Sequence, residues 1–260
     1  TGQISGKHSI GKQKTALDWV LGYNNAYRNQ PDYKRFRYNV DDKENPILLI
    51  PIGSAQTFNL GRTNIQMKEH AYTGGLNVIQ KLNVNKKELE LKAGAFFEHK
   101  FRNFDARNLG YVQANSSLFN IGNLPIEQIF SNENINATTG IKIDEQTNPN
   151  DSYTAYNKLY AVYASGNYAL TKRLNIIAGV RMENNIQHLD SRDLVNNALV
   201  YHNPKTNLLP STNISYNFTE KSLLRFAYGK TLNRPEFREI APFSFYDFVN
   251  NRNITGNPSL

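Results

Sequence analysis

The strongest constraint on this chain is an alternation of side-chain character at period two, sustained for ten or more residues and repeated after very short interruptions. Within residues 159 to 187, Tyr160, Val162, Ala164, Gly166, Tyr168 and Leu170 fall on one side, with Ser165 and Asn167 on the other. After Thr171-Lys172-Arg173 the pattern resumes, with Leu174, Ile176, Ala178, Val180 and Met182 set against Asn175, Arg181, Glu183, Asn185 and Gln187. Successive side chains of an extended strand point to opposite faces, so this pattern predicts a hairpin with one apolar and one polar surface.

The same construction recurs. Leu208, Pro210, Thr212, Ile214, Tyr216 and Phe218 alternate with Asn207, Ser211, Asn213, Ser215 and Asn217; after Thr219-Glu220-Lys221, Leu224, Phe226 and Tyr228 alternate with Arg225, Ala227, Gly229 and Thr231. A third hairpin is predicted from about Ala71 to Arg102 around a turn at residues 83 to 87. A fourth joins residues 3 to 10, across Gly11-Lys12-Gln13-Lys14, to Leu17, Trp19, Leu21 and Tyr23.

The remaining connections, residues 29 to 64, 103 to 154 and 188 to 206, and everything after Asn233, read as long and polar. Short turns on one side and long loops on the other are the layout of outer-membrane barrels. Residues 174 to 187 would extend about 45 Å at ~3.3 Å per residue, enough to cross the ~25 Å apolar band of such a barrel even when tilted. The competing architecture is a large soluble β-sheet protein with one wet face, but soluble strands usually run about 5 to 6 residues. The prediction is an all-β, antiparallel, up-and-down transmembrane barrel portion of about seven or eight long strands, with residues 1–260 as a single partial barrel domain.

Composition supports a membrane route by strands alone. Hydrophobic residues are 39% of the chain and mean hydropathy is −0.58, with 15 Tyr and 14 Phe carrying much of the apolar content. No run nears the roughly 18 apolar residues of a transmembrane helix, which leaves a barrel as the way across. The opening Thr-Gly-Gln-Ile-Ser shows neither a basic nor an apolar leader, so an internal segment is expected.

No catalytic signature emerges. Cysteine is absent, removing disulfide frameworks and thiolate sites. His8, His70, His99, His188 and His202 are isolated along the chain, with no pair at ligand spacing on one element, so no metal site is expected. Nucleophile-elbow, phosphate-loop and dinucleotide fingerprints are missing. The net charge of +8 comes from Lys and Arg scattered through the predicted strands and turns, a distribution that suits anionic lipid headgroups and argues against nucleic acid as a partner. No enzyme activity and no cofactor are expected.

One stretch stands apart. Asn233-Arg234-Pro235-Glu236-Phe237-Arg238-Glu239-Ile240-Ala241-Pro242-Phe243 breaks the strand pattern and is followed by Tyr246-Asp247-Phe248 and by Gly256-Asn257-Pro258-Ser259-Leu260. This order and spacing resemble the barrel of TonB-dependent receptors, especially those of the Bacteroidetes type with an outer-membrane β-barrel domain. Leu17-Asp18-Trp19 and Gln30-Pro31-Asp32 also look like family positions. The resemblance implies a barrel of about 22 strands, of which this chain would hold a middle portion without the plug, the TonB-contacting box or the final strand. It also implies import of a large ligand (an iron chelate, vitamin or glycan) energised through TonB, in the outer membrane of a Gram-negative cell. A surface-exposed structural or adhesive barrel without transport is the alternative.

Pro235 lacks an amide donor and suits a strand end. The break at Asn233 is therefore expected to be the exit from the membrane. Arg234, Glu236, Arg238 and Glu239 are then placed to face water or lipopolysaccharide phosphates, and Phe237, Phe243, Phe245, Tyr246 and Phe248 to join an outer aromatic girdle. Arg181, Glu183, Asn185, Asn213 and Arg225 are candidates to line a ligand path on the polar face.

Overall fold

The computed structural model describes residues 1–11, 15–115, 121–247, 250 and 252–260. Eight long strands form one antiparallel, curved sheet: β1 (Gly2–Ile10), β2 (Thr15–Phe36), β5 (Leu60–Val84), β6 (Lys87–Gln113), β8 (Ser152–Ala169), β9 (Leu174–Arg192), β10 (Ala198–Thr219) and β11 (Ser222–Gly229). Each pairs with its neighbour in chain order, which is up-and-down topology. A short strand β7 (Ile141–Glu145) adds to the end of β6. Two small hairpins, β3 (Tyr38–Val40) with β4 (Pro46–Leu48) and β12 (Ser244–Asp247) with β13 (Arg252–Thr255), sit in the connections.

The predicted short turns share one rim. Residues 85–86 join β5 to β6, with Asn85 and Lys86 both at positive φ (51° and 61°), as a two-residue type I′ hairpin requires. Residues 170–173 join β8 to β9, and Glu220 and Lys221 join β10 to β11. Of the first predicted turn, Gly11 is described and residues 12–14 lie outside the described residues.

The register confirms the two-faced reading. Met182 pairs laterally with Leu208 and Val162 on the outer face, and Glu183 with Asn207 and Ala161 on the inner one. Outer apolar side chains stay open to the surroundings, as lipid-facing residues do: Tyr160 is 52% exposed, Val162 49% and Leu208 58%. Aromatic residues mark both borders of this band, Tyr23, Tyr72, Phe97 and Tyr160 towards the loops and Tyr168, Tyr216 and Phe218 towards the turns. The row through Tyr228 crosses β10 at Thr212, β9 at Ala178 and β8 at Gly166, six residues nearer the turns than Tyr160. That slip of the apolar band along the register is what tilted barrel strands produce.

The long connections are shorter than the sequence suggests. Strand pairing continues well past the apolar band, so β2 runs to Phe36, β6 to Gln113, and β9 and β10 meet across residues 193–197 alone. The segment 188 to 206, expected as a loop, is mostly strand. Alternation fades there because apolar residues no longer keep to one face, with Leu189 and Tyr201 pointing inward and Val200 outward among polar neighbours, while the backbone ladder that holds the strands is blind to side-chain character. Asp193 closes that tight turn by accepting hydrogen bonds from the Val195 and Asn197 amides and the Asn197 side chain, and these hold its carboxyl below the usual range. The loops carry their own core, in which Leu48, Leu60, Tyr111, Ile121, Ile129 and Ile141 pack together.

The strand break before Asn233 is real, since β11 ends at Gly229, but the chain does not leave along the outer surface. It turns back onto the inner face. Phe237, Ile240 and Ala241, on and after a one-turn helix α2 (Phe237–Ile240), pack against Tyr153, Ala155, Leu189 and Tyr201. These four are inward residues of β8, β9 and β10. The girdle expected from Phe237, Phe243, Phe245 and Tyr246 is therefore corrected. Phe237 (2% exposed) and Phe243 (9%) are buried, Phe243 tilted against inward Phe104, and the outer border is formed by strand aromatics instead. Burying these rings against the wall removes more apolar surface from water than a position on the rim. Phe248 lies outside the described residues.

Candidate functional site

The inner wall carries a cross-strand charge pair that the register creates and further pairs along β9 and to the returning segment. Glu69 and Arg102 are direct partners on β5 and β6, with Arg102 Nε 2.6 Å from Glu69 Oε2 and both side chains nearly covered. Arg102 also lies 5.1 Å over the Phe237 ring and 3.8 Å from Glu236. On β9, the Glu183 carboxylate accepts from Arg181 Nε at 2.6 Å and from the Arg234 guanidinium at 2.5 Å. Gln187 Nε2 donates to the Pro235 carbonyl at 2.7 Å. The inner wall and the returning segment are thus joined by two ion-paired contacts and a backbone latch.

Of the residues expected to line a path, Arg181, Glu183 and Asn185 follow one another on the inward register here, with Glu183 and Asn185 buried and Glu183 bound by Arg181 and Arg234. Asn213 and Arg225 lie on the same inward register, opposite Ala227 and Ser215, but nearer the turns and exposed. The motif residues have specific places. Asn233 is exposed. Glu236 caps α2, its amide bonding Glu239 Oε2 at 2.8 Å. The Asn257 amide donates to Glu239 O at 2.7 Å, and Gly256 abuts the carbonyls of Ala241 and Arg238. Pro258 follows, leading to Leu260, whose carbonyl accepts from the Tyr201 hydroxyl at 3.3 Å.

Between the returning segment and the wall on the loop side lies a cavity of about 530 Å³, lined among others by Arg28, Tyr33, Arg35, Arg238, Phe245 and Tyr246. The Arg238 guanidinium sits 3.5 Å over Phe245 and that of Arg35 4.4 Å over Tyr246. Burial, and then the nearby Arg28 charge, pull Arg238 below the usual arginine range. A chamber of cations on aromatic faces favours a negatively charged occupant with flat apolar surface. Sequence reasoning missed this chamber because Tyr33 and Arg35 fall in a stretch read as loop. The strand carrying them continues past Gln30 through its pairing with β5, after a register shift around Asp32 that interrupts the alternation.

An open, tilted, up-and-down sheet with an apolar outer face, aromatic borders and a charged inner wall defines an outer-membrane β-barrel protein. The chain belongs to the outer membrane protein beta-barrel family, whose profile matches residues 126–260. It is accordingly a protein of the Gram-negative outer membrane. Among solved structures it is similar to the siderophore receptor PiuA from Acinetobacter baumannii, with a TM-score of 0.53 and 11% identity over 87% of this chain and 31% of that one. It is also similar to the open form of the ferric-catecholate import receptor Fiu from E. coli K12, with a TM-score of 0.50 and 12% identity over 87% of this chain and 34% of the other. The chain thus spans about a third of the length of these receptors, and likeness at this identity establishes the fold. No curated protein matches it.

Proposed function

We propose that residues 1–260 are a contiguous part of the barrel of a TonB-dependent outer-membrane transporter, with plug and TonB contact elsewhere in the protein. The observation that carries this reading is the returning segment at 233–260, held on the inner wall by Glu183–Arg234 and by Gln187 to Pro235. A segment folded onto the inner wall shapes the lumen, the route a transported ligand takes, whereas an adhesive barrel meets its partner at the outer tips. The Arg28, Arg35 and Arg238 chamber supports an anionic cargo, such as an iron chelate bearing catecholate or carboxylate groups, over a neutral glycan. Arg181, Glu183, Asn185, Asn213 and Arg225 belong on the path below it. The outer apolar band and its aromatic borders meet lipid and lipopolysaccharide. No catalytic step is assigned.

The test is uptake in cells lacking the gene. Restoring the full-length protein returns accumulation of a radiolabelled ferric chelate, and that accumulation disappears when TonB is deleted or the proton-motive force is collapsed. Loss of surface adherence in the deletion strain, with uptake of chelates, cobalamin and oligosaccharides all unchanged, would instead establish the adhesive reading.

A further inference from the structure

The outer face, above the apolar band, holds an arrangement unrelated to the lumen. His188 on β9 and His202 on β10 are direct cross-strand partners, and their Nδ1 atoms are 3.2 Å apart. Asp190 Oδ2 lies 2.9 Å from Nε2 of His188, the nitrogen turned away from His202. Tyr156, next in the same register row, stacks on the His188 ring at 4.8 Å between centroids. Position and ring orientation are therefore set from two sides.

We propose that His188 and His202 form a two-imidazole site for a divalent transition-metal ion of the Zn²⁺, Cu²⁺ or Ni²⁺ class on the outside of the barrel wall. Ligand nitrogens at about 2.0–2.1 Å from such an ion are separated by about 2.9 Å at a right angle and about 3.4 Å at the tetrahedral angle, and the observed separation falls between. Asp190 supplies the partner that a metal-bound imidazole ordinarily has on its far nitrogen. By accepting a hydrogen bond from the His188 Nε2–H, it keeps the proton on that nitrogen and leaves the Nδ1 lone pair facing His202. In the pair without metal, one Nδ1 donates to the other. On metal binding that proton exchanges through water to the outer nitrogen of His202, and both Nδ1 lone pairs coordinate. The described residues bring no third His, Cys, Asp or Glu into a metal-binding group, so water completes the shell. Imidazole donors select this class of ion over Mg²⁺ or Ca²⁺, which prefer oxygen.

The experiment uses the full-length protein purified in detergent without a histidine tag, titrated with Cu²⁺ and followed by electron paramagnetic resonance. One tightly held equivalent is expected, with nitrogen hyperfine splitting from two imidazoles. His188→Gln and His202→Gln each lose that two-nitrogen signal and weaken binding at least about tenfold, and Asp190→Asn weakens it about tenfold while keeping the signal. Heat-modifiable gel mobility reports whether each variant remains a folded barrel, and Zn²⁺ calorimetry gives a second reading that needs no spectrum. Wild-type binding no tighter than millimolar, or the same two-nitrogen signal in both histidine variants, overturns the site and leaves the pair as a hydrogen bond.

Discussion

Gly256 shows how one residue type secures the returning segment. A Cβ there would lie 2.2 Å from the carbonyl oxygen of Ala241 and 2.8 Å from that of Arg238, both backbone atoms that cannot swing aside. Together with the Asn257 amide bond to Glu239, this contact seats residues 256–260 against α2. Gly256→Ala in the full-length protein is therefore expected to undock residues 252–260 at a cost of about 1–3 kcal/mol. Faster tryptic cleavage at Arg252 and reduced uptake, with unchanged heat-modifiable mobility, are the readings that check it; unchanged cleavage would count against the contact. Glu183 illustrates a different balance. Its side chain is 9% exposed, whereas Arg181 and Arg234 are 33% and 29% exposed. The carboxylate carries most of the desolvation, and two partly hydrated guanidiniums satisfy it, so removing either cation leaves a buried charge less than fully compensated.

At the scale of the strand, β11 tests which face meets lipid. Leu224, Phe226 and Tyr228 are each more than half exposed on the outer register, continuing the row faces of Tyr216, Ile214 and Thr212. Arg225, Ala227 and Gly229 continue the inward faces of Ser215, Asn213 and Ser211. In the full-length protein, Phe226→Arg places a charge in hydrocarbon at about 2 to 4 kcal/mol near the midplane. Ala227→Arg adds one to an aqueous interior. Heat-modifiable mobility should show loss of folded barrel in the first variant and its retention in the second; equal loss would mean that the outer face does not meet lipid. The strands were legible as elements wherever one face is apolar. Their upper ends were not, and His188 to Arg192 and Ala198 to Thr206 show why. With the apolar residues split between the faces, Leu189 and Tyr201 inward and Val200 outward, no one-faced pattern distinguishes a paired strand from a loop, and only the continuing ladder between β9 and β10 does.

At the scale of the molecule, the sheet begins at β1 and ends at β11, and the two do not pair among the described residues. A closed eight-stranded barrel would pair its first strand with its last, and here the outer edges of β1 and β11 have no described partner strand. Unpaired edges are templates for another strand. The 260-residue chain produced alone in detergent is expected to associate, giving oligomers by size-exclusion chromatography with light scattering, whereas a monodisperse monomer would mean that its edges are covered in some other way. The sequence by itself determined the class of fold, the facing of the strands with a clear apolar register and the positions of the turns between β5 and β6, β8 and β9, and β10 and β11, because a two-residue period and a turn are properties of neighbouring residues. Only the tertiary structure decided that residues 233–260 fold onto the inner wall, and that Glu69 meets Arg102, Glu183 meets Arg234 and His188 meets His202. Those contacts depend on register and chain return between residues 14 to 51 positions apart, and no local pattern records a distance that exists only once the strands have paired.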